Sequence, residues 1–198
     1  MNKLIVVLLC LLTACTPVKS PIRSQYKIVA FSAKTLETTV SSQSILIAQP
    51  DAMAGYETEQ MLYTDQPFQL SSFAHSSWIS PPANMLTSLI TQSLQHSHYF
   101  YAVAAGPNAD KTDYRLDTQL LTLQQNFLTK PSTLEFSVQI VLTRVNDNRV
   151  IASHTFVERV PCPADTPYGG VIATNKATQA FTARLTAYVV KQVKHDLH

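Results

Sequence analysis

The sequence predicts an α+β two-layer domain, a mostly antiparallel sheet with two main helices on one face. Three observations lead there. Residues 134–142 alternate regularly, with Leu134, Phe136, Val138, Ile140 and Leu142 on one side and Glu135, Ser137, Gln139 and, less obviously, Val141 on the other, the period of a half-buried strand. Two segments carry apolar stripes at helical spacing, one through Met85, Leu86, Leu89, Ile90 and Leu94, the other through Ala177, Phe181, Leu185, Tyr188, Val189 and Val193. The elements run strand, strand, helix, strands, helix, the order of a sheet covered on one face.

Tyr26–Phe31 alternates in part and reads as a first strand, and residues 32–44, rich in Ser and Thr, read as a loop. Ser44–Ala48 is a short apolar run, consistent with a strand buried on both faces, and Pro50-Asp51 ends it. Ser80 offers an N-cap with Pro81 at the first helical position, where its missing N–H is not needed. That helix runs out near His96-Ser97-His98, and Tyr99–Val103 enters a strand closed by Gly106-Pro107-Asn108. Tyr114–Leu120 alternates as a strand, and the Asn146-Asp147-Asn148 turn joins the 134–142 strand to Val150–Val160 as an antiparallel hairpin. Residues 161–170 break the pattern before the terminal helix, expected over Ala173–Val193.

The N-terminus addresses the chain to an envelope. Met-Asn-Lys is followed by an apolar run from Leu4 to Leu12, too short for the ~20 residues of a membrane span but right for a secretory signal peptide. Leu12-Thr13-Ala14-Cys15 resembles the lipobox of bacterial lipoproteins. That resemblance implies cleavage before Cys15, a diacylglycerol on its thiol and acylation of the new amine. Several acyl chains, at ~0.8 kcal/mol per buried methylene, would make the attachment effectively permanent. In such lipoproteins an Asp after the Cys often signals inner-membrane retention; Thr16 stands there instead and favours the outer membrane. The expected organisation is a signal peptide over 1–14, a lipidated tether over 15–24 and one domain over 25–198.

Composition excludes several classes. With Lys3 removed, the chain's 15 basic and 13 acidic residues come within one charge of balance, unlike a phosphate-neutralising nucleic-acid binder. Charged residues make up 14% of the chain, low against the ~25% of ordinary soluble domains, and Ser, Thr and Gln take their place. Cys10 leaves with the signal peptide and Cys15 is modified, so Cys162, between Pro161 and Pro163, has no disulfide partner within the chain. His96 and His98 lie two apart at a helix end with no acidic or thiol ligand nearby in sequence, and no metal site is expected. No G-x-S-x-G elbow, Cys-x-x-Cys or His-Glu-x-x-His is present, and four glycines form no phosphate loop. Asp51, Glu57 and Glu59 read as a solvated loop rim. Neither an enzyme nor a cofactor is expected.

Residues 50–101 stand out by their aromatics, holding the single Trp and Tyr56, Tyr63, Tyr99 and Tyr101. Pro50-Asp51 with Ala54-Gly55, then Met61-Leu62-Tyr63, Phe68-Gln69-Leu70, and Trp78 ahead of Pro81-Pro82 and the Leu-spaced helix, follow one another in order. This ordered set, with the strand at Tyr26 and the lipobox, is similar to the ABC-type transport auxiliary lipoproteins, which include the lipoprotein of the paraquat-inducible system. The resemblance covers most of the chain after the signal and is strongest over 44–103. The family's basic residue after the Tyr of the short strand is absent, Thr64 and Asp65 standing there.

The resemblance implies a non-enzymatic outer-membrane partner of an MCE-type substrate-binding protein, an ABC ATPase and a permease, together moving lipids or other hydrophobic molecules across the envelope. It also leaves room for a homo-oligomer. Tyr63, Phe68, Phe73 and Trp78 are the expected partner-binding residues, because exposed aromatics carry much interface energy; Trp78 has the competing role of stapling the helix start to the core. Three alternatives remain open at this point: a lipoprotein assisting an outer-membrane barrel or lipopolysaccharide translocon, an envelope hydrolase using Ser or Cys162, and a direct lipid carrier.

Overall fold

The computed structural model describes residues 24–106 and 111–197. The signal peptide expected over 1–14, and the tether with its lipidated Cys15, lie outside the described residues. The elements in order are β1 (Ser24–Tyr26), β2 (Ser44–Ile47), β3 (Asp51–Ala52), β4 (Gln60–Thr64), β5 (Ser71–Trp78), α1 (Pro82–His96), β6 (Ala102–Ala105), β7 (Tyr114–Asn126), β8 (Thr133–Arg144), β9 (Arg149–Pro161) and α2 (Pro167–Asp196). The α+β class expected from the sequence is the one observed.

Among the described residues the strands form one nine-stranded sheet with β7 at its centre. On one side β7 pairs antiparallel with β8 from Tyr114↔Arg144 to Asn126↔Thr133, and β9 pairs antiparallel with β8. Along its other side three short strands follow in chain order, all parallel to it: β2 beside Tyr114–Leu116, β3 beside Gln119-Leu120, and β4 beside Gln124–Asn126. β5 returns antiparallel on β4, β1 lies parallel on β5, and β6 lies parallel on β2. The long ladders are antiparallel, as expected. The parallel joins were not legible, because strand partners are chosen by contacts far apart in sequence.

The core lies between this sheet and the helices. Leu116, Leu120, Phe136, Val138, Ile140 and Leu142 are fully buried, as are Ala177, Phe181, Leu185 and Val189 of α2. Phe181 packs edge-on to Phe136 and Phe156, with ring centroids 5.3 and 5.6 Å away. α2 also buries a second stripe, Thr174, Thr178, Thr182 and Thr186, whose first three hydroxyls donate to the carbonyl four residues earlier. At Thr186 the stripe meets α1, where Ser93 Oγ lies 2.9 Å from Thr186 Oγ1.

Three expected boundaries move, each for a local reason. The first strand stops at Tyr26, and residues 27–37 cross the helices as a strap. Its donors go to side chains: Val29 and Ala30 N–H to Asn175 Oδ1 at 2.9 and 3.1 Å, and Ser32 N–H to Thr182 Oγ1 at 2.9 Å. Ile28 and Ser32 are buried and Val29 is exposed, so the strap shows the alternation of a strand without a ladder. Further on, Leu36 and Glu37 N–H both donate to Ser97 O, one of the carbonyls that α1 leaves unsatisfied at its end.

The first helix starts one residue late. Pro81 is extended (φ −47, ψ 130) and is itself the N-cap, with no side-chain cap hydrogen bond, while Pro82 takes the first helical position. A residue before proline is pushed out of the helical region, so Pro82 sets where Pro81 can sit. The second helix starts six residues earlier than Ala173. Thr166 Oγ1 accepts from Gly169 N–H at 3.1 Å and Pro167 follows it, a cap worth ~1 kcal/mol. Glycine is required in the first turn: a Cβ on Gly169 would stand 2.1 Å from Ala164 O, and one on Gly170 2.6 Å from Gln125 Oε1.

The C-terminal end of α2 is fixed by charge. Asp196 accepts from Tyr114 OH at 3.0 Å and from Arg144 Nη1 at 3.0 Å, while Arg144 Nη2 donates to Asp147 at 2.7 Å. Burial, with Asp196 adding to it, pushes the Tyr114 phenol well above its usual value.

The strap predicts that Asn175→Ala, which strips Val29 and Ala30 of their acceptor, costs about 1–2 kcal/mol. Denaturant midpoints should fall accordingly and amide exchange should quicken at Val29 and Ala30 first. The carboxylates predict an acid response. The Arg144 guanidinium holds Asp147 below the usual carboxylate range, and the Ser132 N–H does the same for Asp165. Their stabilisation is complete above the unfolded carboxylate value of ~3.9 and is lost as pH falls through the lower folded values. Denaturant midpoints should therefore drop below about pH 4, and less steeply in Asp147→Asn, which has no such proton to take up.

Candidate functional site

One end of the sheet places three exposed apolar residues, Phe68, Leu70 and Leu128, on two neighbouring loops. There β4 and β7, parallel and in register at Thr64↔Asn126, run out together into two loops, 65–70 leading to β5 and 127–132 leading to β8. Phe127 N–H donates to Thr64 O at 2.8 Å and ties the loops together. Tyr63, Phe73 and Phe127 meet behind them: Tyr63 and Phe73 are 4.5 Å apart, and Phe127 stands edge-on to them at 5.8 and 6.2 Å. Each of the three is half-buried. Such pairs add about 0.5–1.5 kcal/mol beyond the area they bury, so the cluster stiffens this end.

Phe68 stands in front of the cluster. Its relative exposure is 109%, and its φ of 65 puts a bulky residue in the left-handed region that suits glycine. Leu70 in the same loop and Leu128 in the neighbouring one are 43% and 51% exposed. Strain at a residue that contributes nothing to the core marks a place where local structure serves something other than stability.

Of the four aromatics expected to meet a partner, the structure brings Tyr63 and Phe73 together and leaves Phe68 beside them in solvent. Trp78 is a correction. It is 3% exposed and lies against the core with Met61, Leu123 and Leu134 around a residual cavity of about 10 Å³, so it has no ring surface to offer. Its position at the end of β5, paired with Tyr26 of β1, directs the indole under α2 near Gly170 and Thr174. Phe127, Leu70 and Leu128 were missed. The signal was present in the Phe127-Leu128 pair, apolar residues just past an alternating strand and ahead of Pro131.

Elsewhere exposed apolar residues are scattered over the surface, among them Val29, Met53, Ile79, Tyr101, Val150 and Tyr168. An open groove of about 750 Å³ runs along α1, lined by Gln49, Asn84, Thr87, Ser88, Thr91 and Gln92, without a charge. The uncovered face of the sheet carries Gln124 and Asn126, both donating to Glu135, and the exposed Arg115–Asp117 ion pair at 2.8 Å. Among the described residues no group of three or more His, Cys, Asp or Glu is placed to hold a metal. His96 rests against Phe31, and His154 stacks on Tyr188 at 4.9 Å. Cys162 is buried and its burial pushes the thiol pKa up, away from the thiolate that nucleophilic chemistry needs.

With this geometry in view, the comparisons are consistent with one another. A family model described as the ABC-type transport auxiliary lipoprotein component matches residues 26–186. The chain belongs to that family. It is similar to the crystal structure of XCC0632 from Xanthomonas campestris, which carries the family model DUF330: the TM-score is 0.78 at 19% identity, covering 87% of this chain and 98% of that one. A second crystal structure, of an uncharacterised protein, superposes with a TM-score of 0.67 at 13% identity over 85% of this chain and 99% of that one. At these identities the superpositions show the shared fold. A comparison with curated protein sequences finds no match.

The burial difference yields a paired prediction. Trp78→Ala should cost about 3–5 kcal/mol of stability, as for a fully buried large aromatic. Phe68→Gly should cost nothing and gain up to about 1 kcal/mol by relieving the left-handed backbone. Thermal and denaturant unfolding of the two variants beside the parent reads both.

Proposed function

We propose that the chain is a non-enzymatic outer-membrane lipoprotein, the auxiliary component of an ABC/MCE-type system that moves lipids or other hydrophobic molecules across the envelope. The observation that carries this reading is the family match over residues 26–186, which takes in β2 to β9, α1, the first two-thirds of α2 and the aromatic end. Residues 1–14 are the signal peptide, Cys15 is the lipid attachment site, 15–24 the tether and 25–198 the working domain. Thr16, in place of the retention Asp, supports the outer membrane as destination.

Tyr63 and Phe73 carry the proposed contact with the MCE-type protein, and the ATPase and permease complete the system. Their half-exposed rings are already ordered against Phe127, so docking loses little side-chain freedom there. The buried Cys162 thiol, its pKa pushed up by burial, does not support a hydrolase using that residue.

Affinity isolation of the detergent-solubilised lipoprotein should recover an MCE-type protein. Tyr63→Ala or Phe73→Ala, shown to be folded, should weaken that capture by about 2 kcal/mol, the loss typical of a central aromatic. Recovery of an outer-membrane barrel in its place would favour the assembly-factor alternative, and undiminished capture by both variants would remove the docking assignment.

A further inference from the structure

The direction of β1 relates the exposed end of the sheet to the membrane. β1 runs parallel to β5, with Ser24 opposite Ser76 and Tyr26 opposite Trp78. Both strands therefore start from the end of the sheet where residues 65–70 turn into β5. Ser24 stands five residues along from Ser71, about 17 Å at the rise of a strand. Nine residue steps separate Cys15 from Ser24 in the sequence, a reach of up to about 30 Å. That reach covers the interval from Ser24 to the loops and allows Cys15 to lie level with Phe68.

The residues at that end have the chemistry of an interfacial contact. Phe68 is fully exposed on a left-handed backbone, and Leu70 and Leu128 are exposed beside it on loops joined through Phe127 and Thr64. Tyr63, Phe73 and Phe127 support them from behind, so the tip is apolar at its front and stiff at its base. The charged residues on the two loops, Asp65 and Lys130, are exposed and of opposite sign, and Asp165, which accepts from Ser132 N–H at 2.7 Å, lies beside them.

We propose that Phe68, Leu70 and Leu128 insert into the interfacial layer of the same bilayer that holds the acyl chains on Cys15. The proposal rests on the anchored-lipoprotein reading above and adds an orientation to it. A single apolar tip binds a bilayer weakly alone, but a short tether holds it at high effective concentration against the surface. Insertion then fixes which end of the domain faces the membrane and directs the opposite end of the sheet, with Arg144 and Asp196, away from it.

The test uses the full lipidated chain in vesicles of phosphatidylethanolamine and phosphatidylglycerol, some of whose lipids carry a nitroxide high on an acyl chain. Cys15 is consumed by lipid and Cys162 is buried, so Phe68→Cys offers one accessible thiol for an environment-sensitive fluorophore. Leu128→Cys supplies a second tip position, and Val150→Cys, exposed at the far end of the sheet, serves as comparator. The expected result is protein that floats with the vesicles, blue-shifted emission and nitroxide quenching at 68 and 128, and neither effect at 150. Polar, unquenched emission at 68 and 128 on floating protein overturns the proposal and leaves the transport reading standing. Failure to float overturns the anchor and the proposal with it. Emission at 68 that shifts only when a purified MCE-type protein is added makes the tip a protein contact and overturns it too.

Discussion

The two-sided pairing of β7 is the constraint on which the rest depends. One edge of this thirteen-residue strand is taken by β8 along its length, and the other is shared by β2, β3 and β4 in sequence. The chain from Ser44 to Thr64 is thus one interrupted strand laid beside β7, and its interruptions supply the 53–59 loop. Because β4 and β7 end in register at Thr64 and Asn126, the loops that follow them must emerge together. The apolar end of the molecule is a consequence of that register.

On the other side of the core, the helices are held by polar contacts as well as apolar ones. α2 buries a threonine stripe whose first three hydroxyls are satisfied by their own helix and whose fourth meets Ser93 of α1, so small side chains can lie close to α1 and the strap without leaving orphaned donors. The strap closes over both helices by borrowing Asn175 and Thr182 as acceptors and by giving two N–H groups to Ser97 O. Lys194 of α2 pairs with Glu37 at the strap's far end. The N-terminal segment is in this way secured to the domain twice, first by β1 in the sheet and then across the helices.

The candidate site is partly legible in the sequence. Of the aromatics Tyr63, Phe68 and Phe73, expected there to meet a partner, Tyr63 and Phe73 share one cluster. Trp78 was read as a possible partner contact and lies in the core, because whether a strand-end indole faces out depends on Gly170 and Thr174, more than ninety positions away. Phe127 and Leu128 drew no notice, since their importance comes from the Phe127–Thr64 hydrogen bond and not from any local pattern.

While β3 and β5, ahead of α1, carry no periodic signal that sets them apart, the sequence by itself determined the α+β class, the β8–β9 hairpin and the apolar faces of both helices. These follow from periodicity and turn chemistry, which act over a few residues and need no distant partner. It also determined the family, through an ordered set of short features from Tyr26 to the end of α1. The tertiary structure decided the parallel joins along β7, the strap where a strand was expected, the burial of Trp78 and the exposure of Phe68. Each of these depends on groups brought together across tens of residues, as when Val29 finds Asn175 146 positions along the chain.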